Sequence, residues 1–242
     1  MDMFSSNDTE RAIGLEYNGE DAPDVFHLKG DGDFRSAECI DLLKQADIVV
    51  TNPPFSLFRK YVVQLMDYAK KFLIIGNMNA VTYRETFSFI KDGKMWLGQT
   101  TKDRDMLFDV PEDYAQELIA TKIEGSSYKI VNGVVKGRIN AVWYTNLDYP
   151  QRQKDLILSK KYSPEEYPTY DNYDAIEVGR TAKIPVDYDG EMGVPISFLK
   201  KYNPEQFDIL GLDRIFTRKQ SRFYVNGKAK YARIVIRHKV QG

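Results

Sequence analysis

Four consecutive residues, Asn52-Pro53-Pro54-Phe55, have the types and the order that could carry chemistry on an amino group. The Asn52 side-chain oxygen and the Pro53 main-chain carbonyl are two acceptors that could bind both N–H groups of an amine on a planar base or amide. Such an amine is a poor nucleophile because its lone pair is delocalised. Two acceptors favour a more pyramidal nitrogen, which could then attack a methyl donor. The prolines fix the direction of the carbonyl, and Phe55 offers a face on which a ring could stack.

The same tetrapeptide also fits an ordinary turn between a strand and a helix, where Asn and Pro are favoured on backbone grounds alone. Its setting favours a functional site. The preceding run 47–51 predicts a buried strand, and the apolar residues of 58–69 recur at helical spacing, with Ser56 as the predicted cap. Ligands of open parallel sheets bind beyond the carboxyl ends of the strands, which is where the tetrapeptide falls.

The surrounding pattern predicts an α/β core. A helix over 36–46 with Ser36 as its N-cap comes before this unit, and a buried strand at 72–76 completes a β-α-β unit with parallel pairing. A capping box formed by Thr82 and Glu85 predicts a helix that ends at Ile90, followed by a strand at 95–98.

The remaining chain is predicted to be mainly β structure. Residues 128–131 and 138–144 predict an antiparallel hairpin around Asn132-Gly133, so the sheet should be mixed. Residues 148–199 show no sustained period and predict an ordered but irregular segment. A second hairpin is expected to join 222–225 to 231–237 through Asn226-Gly227, which gives the fold a C-terminal mixed β segment.

Charge is distributed unevenly along the chain. Residues 200–242 carry 11 Lys or Arg against 3 Asp or Glu, a net charge of +8, whereas residues 1–199 carry −9. Basic surface strands are common, but clustered cations also favour a polyanion such as DNA through counterion release. Basic and apolar residues alternate along 231–237, so one face should pack and the other should present charge. The candidate DNA-binding residues are Arg218, Lys219, Arg222, Lys228, Lys230 and Arg233.

Other classes of site are disfavoured. Cys39 is the only cysteine, so no internal disulfide can form and a reducing cytoplasm is the expected compartment. His27 and His238 lie far apart in sequence, and no metal site is expected. No export signal or membrane-length apolar run is present, so we expect no membrane partner.

Several segments together resemble one known family, the EcoRI-type adenine-specific DNA methyltransferases of restriction-modification systems. The similarity covers roughly residues 28 to 212 and follows the order of that family's sequence blocks. The similar segments are GDGDFRSAECIDLLKQADIVVTNPPFSLFRKYV, FLIIGNMNAVTYRE, WLG, VWYTNL, EEYPTYDNYDAI and GVPISFLKKYNPEQFDILG.

The resemblance implies a Rossmann-like sheet that transfers methyl from S-adenosylmethionine to N6 of an adenine flipped out of double-stranded DNA. Asn52, Pro53, Pro54 and Phe55 match the family's catalytic motif. Asp33 and Phe34 match the motif that holds the cofactor's adenine, and Asn52 is also expected to contact the cofactor. From the residues alone, the sequence Gly30-Asp31-Gly32-Asp33 favours a turn residue at Asp33 over a cofactor ligand. Residues 1–147 are then expected to be the catalytic core and 148–242 the target-recognition region.

One departure from the family pattern matters. Such enzymes carry, upstream of the region of Asp33, a loop for the methionine end of the cofactor and an acid for its ribose. This chain begins too late to contain either, so its sheet is expected to lack the first strands. Two other functions therefore stay open: a DNA-binding remnant without catalysis, and methylation of a glutamine amide in a protein.

Overall fold

The computed structural model describes residues 11–19, 22–99, 106–217 and 222–239. The first half begins with the hairpin strands β1 (Ile13–Glu16) and β2 (Asp24–His27), then α1 (Ala37–Gln45), β3 (Ile48–Thr51), α2 (Phe58–Asp67) and β4 (Lys71–Asn77). A 3₁₀ helix (Met78–Thr82) leads to α3 (Arg84–Lys91), β5 (Trp96–Leu97), β6 (Met106–Asp109), α4 (Glu112–Thr121), β7 (Tyr128–Val131), β8 (Val134–Ile139) and β9 (Ala141–Thr145).

The second half contains mostly short elements. In order they are a 3₁₀ helix (Pro150–Gln153), β10 (Thr169–Tyr170), β11 (Tyr173–Glu177), a 3₁₀ helix (Thr181–Lys183), β12 (Met192–Pro195), a 3₁₀ helix (Ile196–Lys201), β13 (Phe207–Leu212), α5 (Asp213–Phe216), β14 (Tyr224–Val225), β15 (Lys228–Ala229) and β16 (Arg233–His238). No helix among the described residues has both the length and the apolar character needed to cross a membrane.

The predicted β-α-β unit is confirmed. Strands β3 and β4 pair in parallel, with Ile48 opposite Lys71 and Thr51 opposite Ile74, and α2 connects them. The Ser36 cap is also confirmed, because its hydroxyl accepts a hydrogen bond from the Cys39 N–H at 3.2 Å. The α/β class therefore follows from local periodicity in this part of the chain.

Two predicted helix caps are wrong. Ser56 makes no capping bond, because α2 begins at Phe58 after Leu57, whose N–H donates to the Pro54 carbonyl at 2.9 Å. The capping box at Thr82 does not form either, since Thr82 closes the preceding 3₁₀ helix and its hydroxyl donates to the Asn79 carbonyl. In both places an intervening turn moves the start of the helix past the polar residue.

The first main sheet has the order β3-β4-β9-β5 and is mixed as predicted, because β9 runs antiparallel to β4 and β5. The prediction that β3 is a buried strand is wrong. Within the described residues β3 forms the edge of this sheet, and its side chains Ile48 and Val50 are 50% and 65% exposed. A single covered face explains why burial alternates along the strand.

Both Asn-Gly hairpin turns form, but their second strands differ from the prediction. Asn132 and Gly133 adopt positive φ, as do Asn226 and Gly227, and each pair connects two antiparallel strands. The predicted strand 138–144 is divided at Asn140, so that β8 stays in the hairpin and β9 enters the main sheet.

The second main sheet has the order β10-β11-β12-β16-β13. The segment 148–199, predicted to be irregular, supplies three of its strands, which are too short to show a period in the sequence. Strand β16 does not continue the hairpin of β14 and β15 but lies in the interior of this sheet. Its Ile234 and Ile236 belong to the main core, whereas Val235 packs in a smaller cluster with Tyr170 and Phe223.

The main hydrophobic core contains side chains from both sheets. Phe58, Phe72 and Tyr144 from the first half and Phe198 and Phe207 from the second are all fully buried in it. The core therefore crosses residue 147, where the sequence predicts a division between catalytic and recognition functions.

Substitution of Gly76 by Ala is expected to lower the free energy of unfolding by about 1–3 kcal/mol. A Cβ atom at this position would lie 2.3 Å from Cε2 of Phe58, which is fully buried and has little space to move. Urea denaturation measures the effect. The matched control is Gly30→Ala, because a Cβ there meets nothing within 4 Å, and equal stability of the two variants would contradict this packing.

Candidate active site

The loop of residues 52–57, called the Asn52 loop below, connects β3 to α2 and leaves its two predicted acceptors without a partner among the described residues. Pro53 is buried, whereas Asn52 and Phe55 are exposed at the carboxyl end of β3. In the described part of the chain, neither the Asn52 carboxamide nor the Pro53 carbonyl has a hydrogen-bond partner. The Pro54 carbonyl, in contrast, accepts from Leu57 in the turn that begins α2. Two oxygen acceptors thus stand free at the position where α/β proteins bind ligands.

Aromatic packing in the core holds the end of this loop that leads into α2. Phe58, the first residue of α2, lies against Gly76 of β4, and its ring centroid is 4.8 Å from that of Tyr144 on β9. The Tyr144 hydroxyl donates to the Asn77 carbonyl at 2.8 Å. These contacts connect the start of α2 to two neighbouring strands, so the ends of the loop are held by the core.

The end of β4 lies beside the loop, because β4 pairs directly with β3. The Asn77 side chain accepts a hydrogen bond from the Asn79 N–H at 2.8 Å and so caps the 3₁₀ helix that follows. This leaves the Asn77 amide group as a donor at the same edge of the sheet. Asn79 is exposed within this 3₁₀ helix.

Phe34, which follows Asp33, packs against α2. The Phe34 ring packs edge-on against Tyr61, one turn after Phe58, and the Gln64 side chain donates to the Phe34 carbonyl at 2.9 Å. Helix α2 therefore contacts both predicted motifs, because it follows the Asn52 loop directly and carries the residues that hold Phe34.

The Asp33 carboxylate is engaged by Arg35. Its Oδ1 accepts from the Arg35 main-chain N–H and from Nε, both at 2.8 Å, and its Oδ2 accepts from the guanidinium Nη2. These hydrogen bonds hold the pKa of the Asp33 carboxyl well below its usual range, so the group is an anion at neutral pH. Because the Arg35 side chain is half exposed, this ion pair contributes little to stability.

The predicted basic residues fall into three groups. Arg218 and Lys219 lie outside the described residues. Arg222 and Lys228 are exposed and Lys230 is half-buried, all on or beside the hairpin of β14 and β15. The Asp171 carboxylate accepts from the Asn226 and Gly227 N–H groups at 3.0 and 2.8 Å and so fixes the turn of this hairpin.

The interpretation of Arg233 as a surface cation requires correction. Arg233 is only 8% exposed, and its Nε and Nη2 donate to the two carboxylate oxygens of Glu177 at 3.0 and 2.6 Å. The Tyr170 hydroxyl also donates to this carboxylate. Arg233 therefore neutralises a buried acid and is not a surface cation.

The two tryptophans lie on strands of the first main sheet, Trp96 on β5 and Trp143 on β9. The Trp96 ring lies beneath Arg152, whose Cζ is 3.7 Å from the ring centroid, and its indole N–H donates to the Leu147 carbonyl. Trp143 lies on β9, where its Cβ closely approaches Gly98. Over the described ranges, no group of three or more His, Cys, Asp or Glu side chains is placed to bind a metal.

A mixed α/β sheet with two free acceptors beyond a parallel strand is the arrangement of an enzyme that binds its substrate at the strand ends. Comparison with known proteins agrees with the sequence blocks that surround this loop. Residues 1–239 match the family described as "Adenine-specific methyltransferase EcoRI", and the chain belongs to this family.

Three relatives cover nearly the whole chain. The Type II methyltransferase M.EcoRI of Escherichia coli is 50% identical over 98% of this chain and 73% of its own length. M.MgeORF184P of Mycoplasma genitalium is 38% identical over 97% of the chain and 81% of its own length, and M.MpnI of Mycoplasma pneumoniae is 36% identical over 93% and 74%. No solved structure gives a significant match.

Substitution of Arg233 by Ala is expected to lower the free energy of unfolding by about 3–5 kcal/mol, because the Glu177 charge would stay buried without its partner. Arg237→Ala is the control, since this residue lies on the same strand but is exposed, and it should change stability by no more than about 0.5 kcal/mol. Urea denaturation measures both.

Replacing Arg233 and Glu177 together by Met should recover much of the lost stability, because no unpaired charge is left inside. An Arg233→Ala protein of normal stability that binds DNA more weakly would contradict the buried role and restore the surface role.

Proposed function

We propose that this chain is a DNA adenine methyltransferase that transfers a methyl group from S-adenosylmethionine to N6 of an adenine flipped out of double-stranded DNA. The observation that carries the proposal is the pair of unengaged acceptors, the Asn52 carboxamide oxygen and the Pro53 carbonyl, at the end of β3. Membership of the adenine-specific family supports the choice of base. The printed names of the relatives support a role in restriction-modification.

The proposed mechanism requires two acceptors and no strong base. The nitrogen becomes positively charged as it bonds to the methyl carbon and the methyl–sulfur bond of the donor breaks, and it then releases one of its protons to water. The adenine amino group has two N–H donors. One can donate a hydrogen bond to the Asn52 side-chain oxygen and the other to the Pro53 carbonyl. Both bonds become stronger as the nitrogen becomes pyramidal and gains positive charge, so they stabilise the transition state more than the ground state. The exposed Phe55 is available to stack on the extruded base, which offsets part of the unstacking cost of a few kcal/mol.

The residues at Asp33 and Phe34 fit the adenine end of the methyl donor. A carboxylate has about four lone-pair positions, and Arg35 occupies three of those of Asp33, two on Oδ1 and one on Oδ2. Oδ2 therefore keeps an acceptor position for an exocyclic amino group. The Phe34 main-chain N–H has no partner in the described residues and can donate to a ring nitrogen beside that amino group. When bound, S-adenosylmethionine supplies an electrophilic methyl group.

The finer description of the fold is also part of the proposal. We infer that the sheet containing β3 and β4 is Rossmann-like and that further strands pair with the free edge of β3. The exposed Ile48 and Val50 on that strand support this inference, since an apolar edge strand is usually covered. Residues 148–242 would form the target-recognition region, in which Arg222, Lys228 and Lys230 are the available cations of the hairpin.

Asn52→Ala is expected to reduce methyl transfer to DNA by at least about 100-fold, because removal of one transition-state hydrogen bond costs about 2.7–4 kcal/mol in comparable sites. DNA affinity should change little, because no phosphate contact is lost. Transfer of tritiated methyl groups and equilibrium DNA binding are measured on the same preparation. The control is Ser56→Ala, an exposed residue of the same turn without a side-chain hydrogen bond in the described residues. Normal turnover by Asn52→Ala would refute the assignment.

Calorimetric titration with S-adenosylmethionine separates the enzyme from a DNA-binding remnant. We expect saturable binding that weakens when Asp33 is replaced by Ala, because the acceptor for the cofactor's amino group is removed. Asp47→Ala is the control, because Asp47 is an exposed acid without a hydrogen-bond partner in the described residues. Undetectable binding by the unmodified chain would support the remnant. Methyl transfer to a protein glutamine but not to DNA would support the remaining alternative, a protein glutamine methyltransferase. That enzyme would use the same paired acceptors on an amide nitrogen.

A further inference from the structure

A second open cleft lies away from the Asn52 loop, beside strand β5. It has a volume of about 810 Å³ and runs between β5, the segment 149–157 and the 3₁₀ helix Ile196–Lys201. None of the residues assigned above to catalysis, cofactor binding or the basic hairpin lines it. Its described lining contains one acidic residue, Asp155, and four basic residues, Arg152, Lys154, Lys200 and Lys201. We call it the β5 groove.

The β5 groove is built by specific hydrogen bonds. The buried Asn203 side chain donates to the Gln153 carbonyl at 3.1 Å and to the Asp155 carboxylate at 2.8 Å. Gln206 holds the next residue of the same segment, because its amide accepts from the Leu156 N–H at 2.7 Å and donates to the Leu156 carbonyl at 2.9 Å. The wall that carries Arg152 and Lys154 is therefore ordered without any ligand.

Two contacts join the segment 149–157 to β5. The Tyr149 hydroxyl donates to the Leu97 carbonyl at 2.7 Å, and Arg152 stacks on Trp96. Stacking on a ring keeps a guanidinium plane fixed while its edge can still donate hydrogen bonds. The lining carries more basic than acidic side chains, although Arg152 also pairs with Asp148 at 3.9 Å and Asp155 keeps its negative charge. A fixed surface of this kind suits a phosphodiester chain.

Sheet register places the groove level with the Asn52 loop. A single cross-strand row passes from Thr51 to Ile74, then to Tyr144 and finally to Leu97, which lines the groove. The two ends of this row are three strand spacings apart, or about 14 Å. Successive nucleotides of a DNA strand are separated by about 3.4 Å along the helix axis, so this distance corresponds to roughly four base pairs.

We propose that the β5 groove binds the DNA sugar-phosphate backbone a few base pairs from the flipped adenine. This inference rests on the proposed function in taking DNA as the substrate. It adds a contact surface that the charge distribution along the sequence does not reveal, because Arg152 and Lys154 lie in the part of the chain with a net negative charge. The groove reads no base sequence and positions the duplex at the Asn52 loop.

The test replaces the three lysines Lys154, Lys200 and Lys201 together by Gln. Each lost phosphate contact should lower the slope of log affinity against log salt by about 0.9, so the triple variant should lose about 2–3 from the slope. Fluorescence anisotropy with a mixed-sequence duplex of about three helical turns measures it. The matched control replaces Lys71, Lys94 and Lys122, which are exposed and lie outside the groove, and should keep the slope of the unmodified chain.

Acylation of lysines on the unmodified chain gives a second readout that does not depend on how the variants fold. The duplex should protect Lys154, Lys200 and Lys201 from the reagent and leave Lys71, Lys94 and Lys122 reactive. An unchanged salt slope in the triple variant, or equal acylation with and without DNA, would overturn the inference. Protection by poly-glutamate but not by DNA would also overturn it and would indicate an acidic protein partner.

These outcomes can be separated from failure of the proposed function. A chain that methylates DNA but keeps its salt slope after loss of the three lysines refutes the groove and leaves the enzyme assignment intact. If the triple lysine variant loses salt slope but Asn52→Ala turns over normally, the groove is supported and the catalytic assignment is refuted. If the unmodified chain does not bind the duplex, both are refuted.

Discussion

The contact between Phe58 and Gly76 connects the Asn52 loop to the rest of the fold. Phe58 is the first residue of α2, and its ring occupies the space above β4 that any larger residue at position 76 would fill. Tyr144 lies against the same ring and donates to the end of β4. The short turn from Pro53 to Leu57 is thereby held at both ends, by β3 and by a fully buried aromatic residue. The role proposed for the two acceptors would need this rigidity, because transition-state hydrogen bonds depend on the position of the acceptor within fractions of an ångström.

The same helix links the two halves of the proposed chemistry. One end of α2 begins at the Asn52 loop, and its Tyr61 and Gln64 hold Phe34 next to Asp33. Positions on a single short helix move together, so the sites proposed for the amino acceptor and the methyl donor share one rigid support.

Much of the catalytic half could be predicted from the sequence because its signals are local. The strand at 48–51, the helix after it and the second strand each show their own period, and the Asn-Gly turns specify positive φ within two residues. Pairing partners are set by distant residues and were harder to predict. Strand β9 leaves its hairpin at Asn140 for β4, and β16 leaves its hairpin for β12 and β13. The error at Arg233 has the same origin, since its partner Glu177 lies 56 positions away in the sequence.

In the candidate site, too, the features with local sequence signals could be predicted and those formed by distant residues could not. The Asn52 tetrapeptide and Asp33 are recognisable because they fall at the ends of predicted elements or match a family motif. The β5 groove is not, since its cations come from separate turns and are brought together by Asn203 and Gln206. A count of charge over long segments hides such a surface among acidic neighbours. The contact of Gly76 with Phe58 has one weak signal in the sequence. Gly76 is an isolated glycine within a strand, and such a glycine often marks a close approach of another group.

The central claim is that the paired acceptors act on the amino group of adenine. It is tested most directly by analysing the nucleosides of a plasmid that has been incubated with the purified chain and isotopically labelled S-adenosylmethionine. Mass spectrometry after digestion to nucleosides should find the label in N6-methyldeoxyadenosine, and the Asn52→Ala protein should yield almost none. Label in a methylated cytosine, or in protein glutamine with unlabelled DNA, would contradict the account.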